Sequence, residues 1–518
     1  MTTPYKQNET AIWFQPNYDG TPWQLLGLGI SSASGRTVPG PGRTITYGSD
    51  RYGQPVAVTE QIDPPQGQAG MTVGVYDTGV VPYFEKAQNR GCEIAIQIRG
   101  TKCGVLDSPT QWDWIDHHTG GRFTQRTLPD TPATPFSGAP LQQQGTLSLR
   151  DVFRITRNTT SRLTTAETEN LTGLAVLTDA RCGGGDCADG YPGADKIMFA
   201  TAEADTGAPA NVIFSRVGGA AWDEVTDKPF ANDEHIGGIG WQWSGQGQIR
   251  LIVWCATTDG AARPKIAYGE FAYGGEADIT WTNVLATGDA STATANGDVV
   301  SAMLWVDWSH LLIATTGGLI FMLDNQASVW EDGPIADAGV EITVFAASYD
   351  GKRKYAAGAS NTLLREQDNG VFATRVGPSG GGAFTALKEA HDGTLYAGNG
   401  TSIYKSINGG ENTGGWSLLK NFGTNKPVKK ILLVGIDRLR GGDPQIIRVV
   451  VDNTAGAGAD GEVWQSVDGG ASWEQISMPD NAGYNDAVES RIDNNLYWIV
   501  GDAVGGTGLI HMVAEKTS

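Results

Sequence analysis

Three places in this sequence hold side chains suited to acid–base or nucleophilic chemistry. Arg154 stands in VFRIT, and a planar guanidinium grips a carboxylate through two parallel hydrogen bonds. LAVLTDARCGGGDCADG brings Asp179, Arg181, Asp186 and Asp189 into one glycine-rich run, where an aspartate can act as general acid or base. GYNDAVESRIDNNLYW carries Tyr484, a nucleophile when a neighbouring base takes its proton. Arg365, Arg375, Arg448 and Arg491 are the unranked further cations that a clamp would draw on, and no glutamate stands out as partner of Tyr484. Each residue also has a plainer reading. Arg154 fits an exposed strand position in LRDVFRITR, Asp186 and Asp189 a glycine turn or a weak cation loop, and Tyr484 a loop aromatic.

Other chemistry has less to stand on. The sequence holds no Gly-x-x-x-x-Gly-Lys-Ser/Thr, no His-Glu-x-x-His and no Cys-x-x-Cys, the spacings that phosphate and metal sites use. DGYPGAD, Asp189 to Asp195, lacks the ligand spacing of a calcium loop. Cys182 and Cys187 flank GGGD and read as two thiols on a loop, with pairing or metal binding as the alternative. Adjacent His117 and His118 would face opposite ways on a strand and read as surface. Trp241, Trp243, Trp254, Trp305 and Trp308 suit sugar stacking or, alternatively, the packing between sheets. No cofactor and no metal is expected.

The elements that must position these residues are strands. The chain has 71 Gly and 16 Trp in 518 residues, with only 18% charged, a composition of short strands and tight turns. No long stretch repeats its apolar residues with a helical period. The formal net charge is −20, and it is uneven. Residues 1–170 hold 14 Lys/Arg against 15 Asp/Glu, whereas residues 171–518 hold 23 against 42. So acidic a C-terminal part repels nucleic acid and anionic membranes. No apolar run is long enough to span a bilayer. MTTPYKQNETAIWF has no basic-then-apolar leader, so the chain is expected to carry no signal peptide.

Residues 171–518 repeat. DGTLYAGNGTSIYKSINGG is followed by Trp416, and GEVWQSVDGGASWEQI repeats the order strand, turn, strand, Ser-x-Asn/Asp-Gly-Gly, Trp. Looser copies begin at Asn211, Lys265, Gly317 and Asn361. The hairpins recur at roughly 40–55 residues, the spacing of four-stranded blades. Ser466, Asp468, Gly469, Gly470, Ser472 and Trp473 resemble the Asp-box, or BNR repeat, of sialidase-like β-propellers. Ser406, Asn408, Gly409 and Gly410 form a variant with Asn for Asp. The resemblance implies a structural motif on the outer rim. Counted along the sequence, the hairpins give seven blades ending in NLYWIVGD and GLIHMVAEK, and the last lacks a strand that a segment from before residue 180 would supply. VFRIT is similar to the Phe/Tyr-Arg-Ile-Pro motif of sialidases, with Thr156 in place of the proline. That likeness would make Arg154 a clamp arginine, Asp186 or Asp189 an acid/base, and Tyr484 the nucleophile of a glycoside hydrolase.

Residues 1–170 read differently. Strands are expected at Arg43–Tyr47, Val56–Gln61, Met71–Tyr76, Cys92–Arg99, Gly121–Thr127 and Gly145–Ile155, with CEIAIQIR alternating as a half-buried strand does. A short helix is expected near Pro82–Arg90, a loop or arm at Asp130–Gln144, and a helical turn at Thr164–Leu171 with Thr164 as cap. This order resembles the tail-tube, or major tail, proteins of tailed bacteriophages, whose β-sandwiches form stacked rings. The expectation is an all-β chain, with an N-terminal β-sandwich carrying a short helix over 1–170, then a seven-bladed (six to eight) β-propeller over 171–518. Functionally the resemblance implies a virion tail protein assembled in a host cytoplasm. It is expected to polymerise with itself, to display the propeller toward host-surface glycans, to insert in no membrane and to read no nucleic-acid sequence. A glycan-binding adhesin or tail fibre and a sialidase-like hydrolase are the alternatives.

Overall fold

A computed structural model describes the strands between Thr10 and Thr164, Trp112, and residues 165–177 and 197–515 apart from residues 166, 217–220, 246–247, 258–262, 273, 307–309, 325–327, 349–351, 368–369, 435–443, 455–460, 479–481, 490–495 and 503–508. The chain falls into two compact units. One is Met1–Asn158 with two short later segments, and the other is Thr159–Ala180 with Asp186–Ala514.

In the first unit one antiparallel sheet runs Gln24–Leu28, Thr10–Pro16, Ile94–Gly100, Trp114–Thr127, Gln143–Ser148, Met71–Val75. Trp114–Thr127 pairs with Ile94–Gly100 and Asp151–Thr156 over its first half, and with Gln143–Ser148 over its second. Gly42–Ser49 and Pro55–Asp63 form a separate hairpin. The alternation in CEIAIQIR predicts a strand with one wet face, but Gln97 and Arg99 are buried along with Ile96 and Ile98. Their polar atoms satisfy one another: Arg99 Nε donates to Gln97 Oε1 at 2.8 Å, and Gln97 Nε2 lies 3.0 Å from His117 Nδ1. His117 is therefore interior, not surface. The expected helix at Pro82–Arg90 and all but the end of the expected arm at Asp130–Gln144 lie outside the described residues.

The second unit is a β-propeller. Six four-stranded antiparallel blades follow in chain order, their first strands being Leu171–Val176, Ile236–Gly245, Val300–Trp305, Ile342–Ala347, Phe384–Glu389 and Val428–Leu433. A further four-stranded sheet joins Tyr484–Glu489, Leu496–Gly501 and Leu509–Glu515 to Asn158–Thr164, a strand from before residue 180. The first strands neighbour one another from blade to blade, and Tyr484–Glu489 lies against both Val428–Leu433 and Leu171–Val176. Apolar clusters fill the seams between blades; Phe199, Phe271 and Trp281 share one, Phe422, Trp464 and Trp473 another. The helical turn expected at Thr164–Leu171 does not form. Thr164 ends a strand, and Glu167 accepts from Asn211 Nδ2 at 3.1 Å instead of turning back to cap.

Candidate functional site

The first strand of each sheet in the second unit carries the same irregularity near its start. Two residues face one across the pair, so a bulge is set at Thr172, Gly237, Ser301, Thr343, Thr385, Lys429 and Asn485. A bulge twists the strand and re-aims its extra side chain. Three of these side chains reach the following first strand at one equivalent point. Ser301 Oγ donates to the Ile342 carbonyl at 2.7 Å, Thr343 Oγ1 to the Phe384 carbonyl at 2.6 Å, and Asn485 Nδ2 to the Leu171 carbonyl at 2.9 Å. A second backbone bond recurs beside them, such as Ala359 N–H to Glu341 and Asp502 N–H to Gly483. The last sheet thus meets the first blade as blade three meets blade four.

Four ionic groups among these strand starts form two pairs. Lys429 Nζ lies 3.2 Å from Asp452 Oδ2, and Lys430 Nζ lies 2.8 Å from Asp486 Oδ1. Asp486 Oδ2 also accepts the Leu174 N–H at 3.3 Å, and Asn485 Nδ2 donates to Asp502 Oδ1 at 3.1 Å. Among the described residues no group of three or more His, Cys, Asp or Glu is placed to share a metal ion.

The residues singled out for hydrolysis are not brought together. Arg154 is on Asp151–Thr156 opposite Asp116, in the first unit. Tyr484 opens the first strand of the last sheet and is 0% exposed, inside an apolar cluster with Leu432 and Ile499. A Cβ at Gly461 would lie 2.3 Å from its ring, so only glycine fits beneath it. Asp179, Arg181, Asp186, Asp189 and Arg491 lie outside the described residues. Arg448 is buried in blade six and donates to Gln465 Oε1 at 3.0 Å, whereas Arg365 is in blade four beside Glu411. Arg375, also in blade four, faces Leu363 across its strand pair.

A buried acidic group that the sequence reading missed lies between blades four and five. Glu389 is 0% exposed and is paired to the half-exposed Arg353. Burial raises its pKa above the usual carboxylate range, and the Arg353 guanidinium offsets this only in part. Burial, reinforced by the nearby Glu389 charge, pushes the Tyr355 phenol up to about 12. Burial also lowers the pKa of the Lys405 ammonium.

The Ser-x-Asn/Asp-Gly-Gly runs sit between the third and fourth strands of blades five and six. Ser466 Oγ accepts the Gly470 N–H at 2.8 Å, and Asp468 Oδ1 accepts the Ser472 N–H at 2.9 Å. Gly469 and Gly470 hold φ of 71° and 91°, a region that other residues avoid. Ser406 Oγ repeats the first bond to Gly410 at 3.0 Å. Trp473 Nε1 closes its own turn on the Gly470 carbonyl at 3.0 Å, whereas Trp416 Nε1 reaches back to the Val376 carbonyl of blade four at 2.6 Å. In blade two the sequence has Phe271 and Tyr273 before the Gly-Gly pair, where the other turns have Ser and Asn or Asp. There the buried Glu276 accepts from its own Gly274 N–H at 3.0 Å and from Arg216 Nε of blade one at 2.7 Å.

The five tryptophans divide. Trp241 packs on the seam between blades one and two, and Trp254 and Trp305 on the seam between blades two and three, all three half-buried. The Trp243 side chain and Trp308 lie outside the described residues.

No protein-family model matches the chain, and no curated protein matches it. Solved structures do. A streptogramin B lyase structure matches at 11% identity, over 69% of this chain and 98% of that one, with a TM-score of 0.47. YCF48 from Cyanidioschyzon merolae matches at 11% identity over 68% and 98%, TM-score 0.45, and the RRP9 WD40 repeats at 10% over 69% and 97%, TM-score 0.47.

Proposed function

We propose that the chain is a recognition and assembly protein, in which a closed seven-bladed ring displays a binding surface and the first unit joins copies of the chain. The observation that carries the recognition half is the state of the charged groups around the first strands. Lys429 with Asp452 and Lys430 with Asp486 form charge pairs there, an array of fixed donors and acceptors that the polar groups of a ligand could meet. The turn at Ser466–Trp473 supports reading the repeats as Asp-boxes, since its carboxylate bonds the turn's own N–H and hydroxyl groups. For the assembly half, Gln24–Leu28 and Met71–Val75 end the described sheet of the first unit. These two end strands approach one another, and an edge that stays open in the free chain would be a template for another chain. Joined edge to edge, such sheets would make the rings of a tail-tube-like virion protein, with the propellers outward toward host-surface glycans. A glycan-binding adhesin that does not polymerise is the second reading. A glycoside hydrolase is disfavoured by the burial of Tyr484.

Negative-stain microscopy of the full chain across a concentration series tests assembly, and a glycan array tests recognition. Rings or stacks with glycan affinity support the whole proposal. Single particles at every concentration, with glycan affinity, leave the adhesin. Turnover of a fluorogenic sialoside that is lost in Arg154→Ala overturns both in favour of hydrolysis.

A further inference from the structure

Arg365 and Arg375 share one face of blade four, and the strand register shows which face it is. Arg365 is paired with Tyr355, and Arg375 with Leu363. Paired residues of an antiparallel ladder point to the same side. Tyr355 and Leu363 are both buried in a cluster with Phe384, Leu395 and Ala397 of blade five, so both arginines face blade five. The alternate residues Leu364 and Phe372 pack the other way, with blade three. Arg365 stands two residues along its strand from Leu363 and is thus the diagonal neighbour of Arg375. Such neighbours are about 7–8 Å apart, within reach of one another's long side chains.

The two cations are poorly matched with acid. Arg375 is half-buried and enters no ion pair among the described residues. Its Nε is closed to solvent and bonds to nothing, whereas neither Nη is closed off in this way. Arg365 meets Glu411 at 3.4 Å, with 24% of the arginine side chain and 57% of the glutamate exposed. So long and exposed a pair holds weakly, and an incoming carboxylate can take the place of Glu411. The nearby acids are engaged elsewhere, Glu389 with Arg353, and Glu366, on the opposite face, with Lys354. The rest of residues 171–518 is acidic, but charges beyond about 8 Å are screened at physiological ionic strength. An anion at this wall therefore meets mainly the two guanidiniums.

Apolar side chains stand exposed beside them. Val376 follows Arg375 and is 37% exposed, and its N–H donates to the Gly410 carbonyl of blade five at 2.9 Å. Ile407, in the same turn as Gly410, is 75% exposed, the most exposed large apolar side chain among the described residues. Trp416, bonded to the Val376 carbonyl, is half-buried. Guanidiniums bordered by aliphatic and indole surface have the make-up of a protein-binding patch, where arginine and tryptophan are enriched. A sulfated polysaccharide would use the cations alone and leave Val376 and Ile407 in water.

We infer that this wall of blade four, with the adjoining turn of blade five, binds an acidic peptide segment of a partner protein. Arg365 and Arg375 take its carboxylates through paired hydrogen bonds, and Val376 and Ile407 take its apolar side chains. The surface uses neither the strand starts nor the sheet edges of the proposed function and does not rest on them.

The test is fluorescence anisotropy of the full chain with a labelled peptide alternating aspartate and leucine, beside the same peptide with asparagine for aspartate and a labelled heparin fragment. The acidic peptide should bind, more weakly as salt is raised, and the asparagine peptide should not. Arg375→Gln should weaken binding about tenfold, and Arg375→Lys should recover only part of it, since an ammonium lacks the planar fork. Glu411→Gln should strengthen binding several-fold by freeing Arg365, a gain that misfolding cannot produce. Ile407→Ser should weaken the peptide and leave heparin unchanged. Peptide binding equal in Arg375→Gln and wild type overturns the inference, as does a silent titration. Heparin binding tighter than the peptide overturns it in favour of a polyanion. Self-association of the chain that Arg375→Gln abolishes, without peptide binding, overturns it in favour of a second copy. Failure here leaves the glycan array and the microscopy to decide the proposed function separately.

Discussion

Replacing Asp468 by alanine should unpick one turn of blade six, by an amount that the geometry fixes in outline. The carboxylate is 6% exposed. It accepts three hydrogen bonds, from the Ser472 N–H at 2.9 Å, the Ser472 hydroxyl at 2.5 Å and the Ser466 hydroxyl at 2.9 Å. Bonds to a charged acceptor contribute about 1.5–3 kcal/mol each, though water can replace part of that where the donor is partly exposed. Ser472 is partly exposed, so we expect a net cost of about 2–4 kcal/mol. The turn in blade five supplies the control. Asn408 accepts a single bond, from Ser406 Oγ at 2.8 Å, so Asn408→Ala should cost about 1 kcal/mol. The chain has two compact units, and a single global midpoint would blend them. The readout is therefore local: hydrogen exchange at the Gly470 and Ser472 amides, with denaturant unfolding followed by tryptophan fluorescence. If Asp468→Ala costs no more than Asn408→Ala, or the two amides exchange at the wild-type rate, the carboxylate does not hold the turn and the reasoning fails.

Further outcomes follow from single buried groups. Glu389 has a raised pKa in the fold, so its favourable contribution is complete below the unfolded value near pH 4 and is lost as pH rises through the folded value. The stability of Glu389→Gln relative to wild type should therefore climb between acid and mildly alkaline pH; a flat difference across that range in the opening free energy of the amides of Phe384–Glu389, read by hydrogen exchange, would contradict the assignment. Tyr484→Ala should cost about 3–5 kcal/mol, as for other large buried side chains, and Tyr484→Phe should alter no glycoside turnover, measured with a fluorogenic substrate. Cys255 is buried, donates to the Thr257 carbonyl and has its thiol pKa raised by burial. It should resist maleimide labelling in native buffer and react only on unfolding, a difference readable by intact-protein mass spectrometry.

What the sequence displayed and what it hid differ by where the information lies. The turns of blades five and six were legible because side chains do the work: Ser406, Ser466 and Asp468 bond the backbone, and the glycines at 409, 410, 469 and 470 take φ values that other residues avoid. The blade-two turn hid its likeness because Glu276 does the bonding from a different position, with Arg216 of the preceding blade. Buried polar groups misled in the other direction. Gln97, Arg99 and His117 satisfy one another inside the first unit, so alternation of residue type overstated how much of that strand is wet. The capping pattern at Thr164 was a true pattern that lost to strand pairing with Leu509–Glu515, a long-range bond that no local window contains.

The bulge is the sharpest instance. Its seven residues are Thr172, Gly237, Ser301, Thr343, Thr385, Lys429 and Asn485, a set with no shared chemistry, because backbone geometry defines the position and the side chain is free to vary. The residue just before it is constrained: Leu171, Ile236, Val300, Ile342, Phe384 and Val428 are all apolar and buried. Tyr484 is the seventh of that series. Read alone, a tyrosine in GYNDAVES invites a catalytic role. Read in register, it stands where Phe384 stands in AFTALKE and is buried for the same reason, since the start of each first strand packs into the seam between sheets. Register thus separates a core aromatic from a nucleophile where residue type cannot.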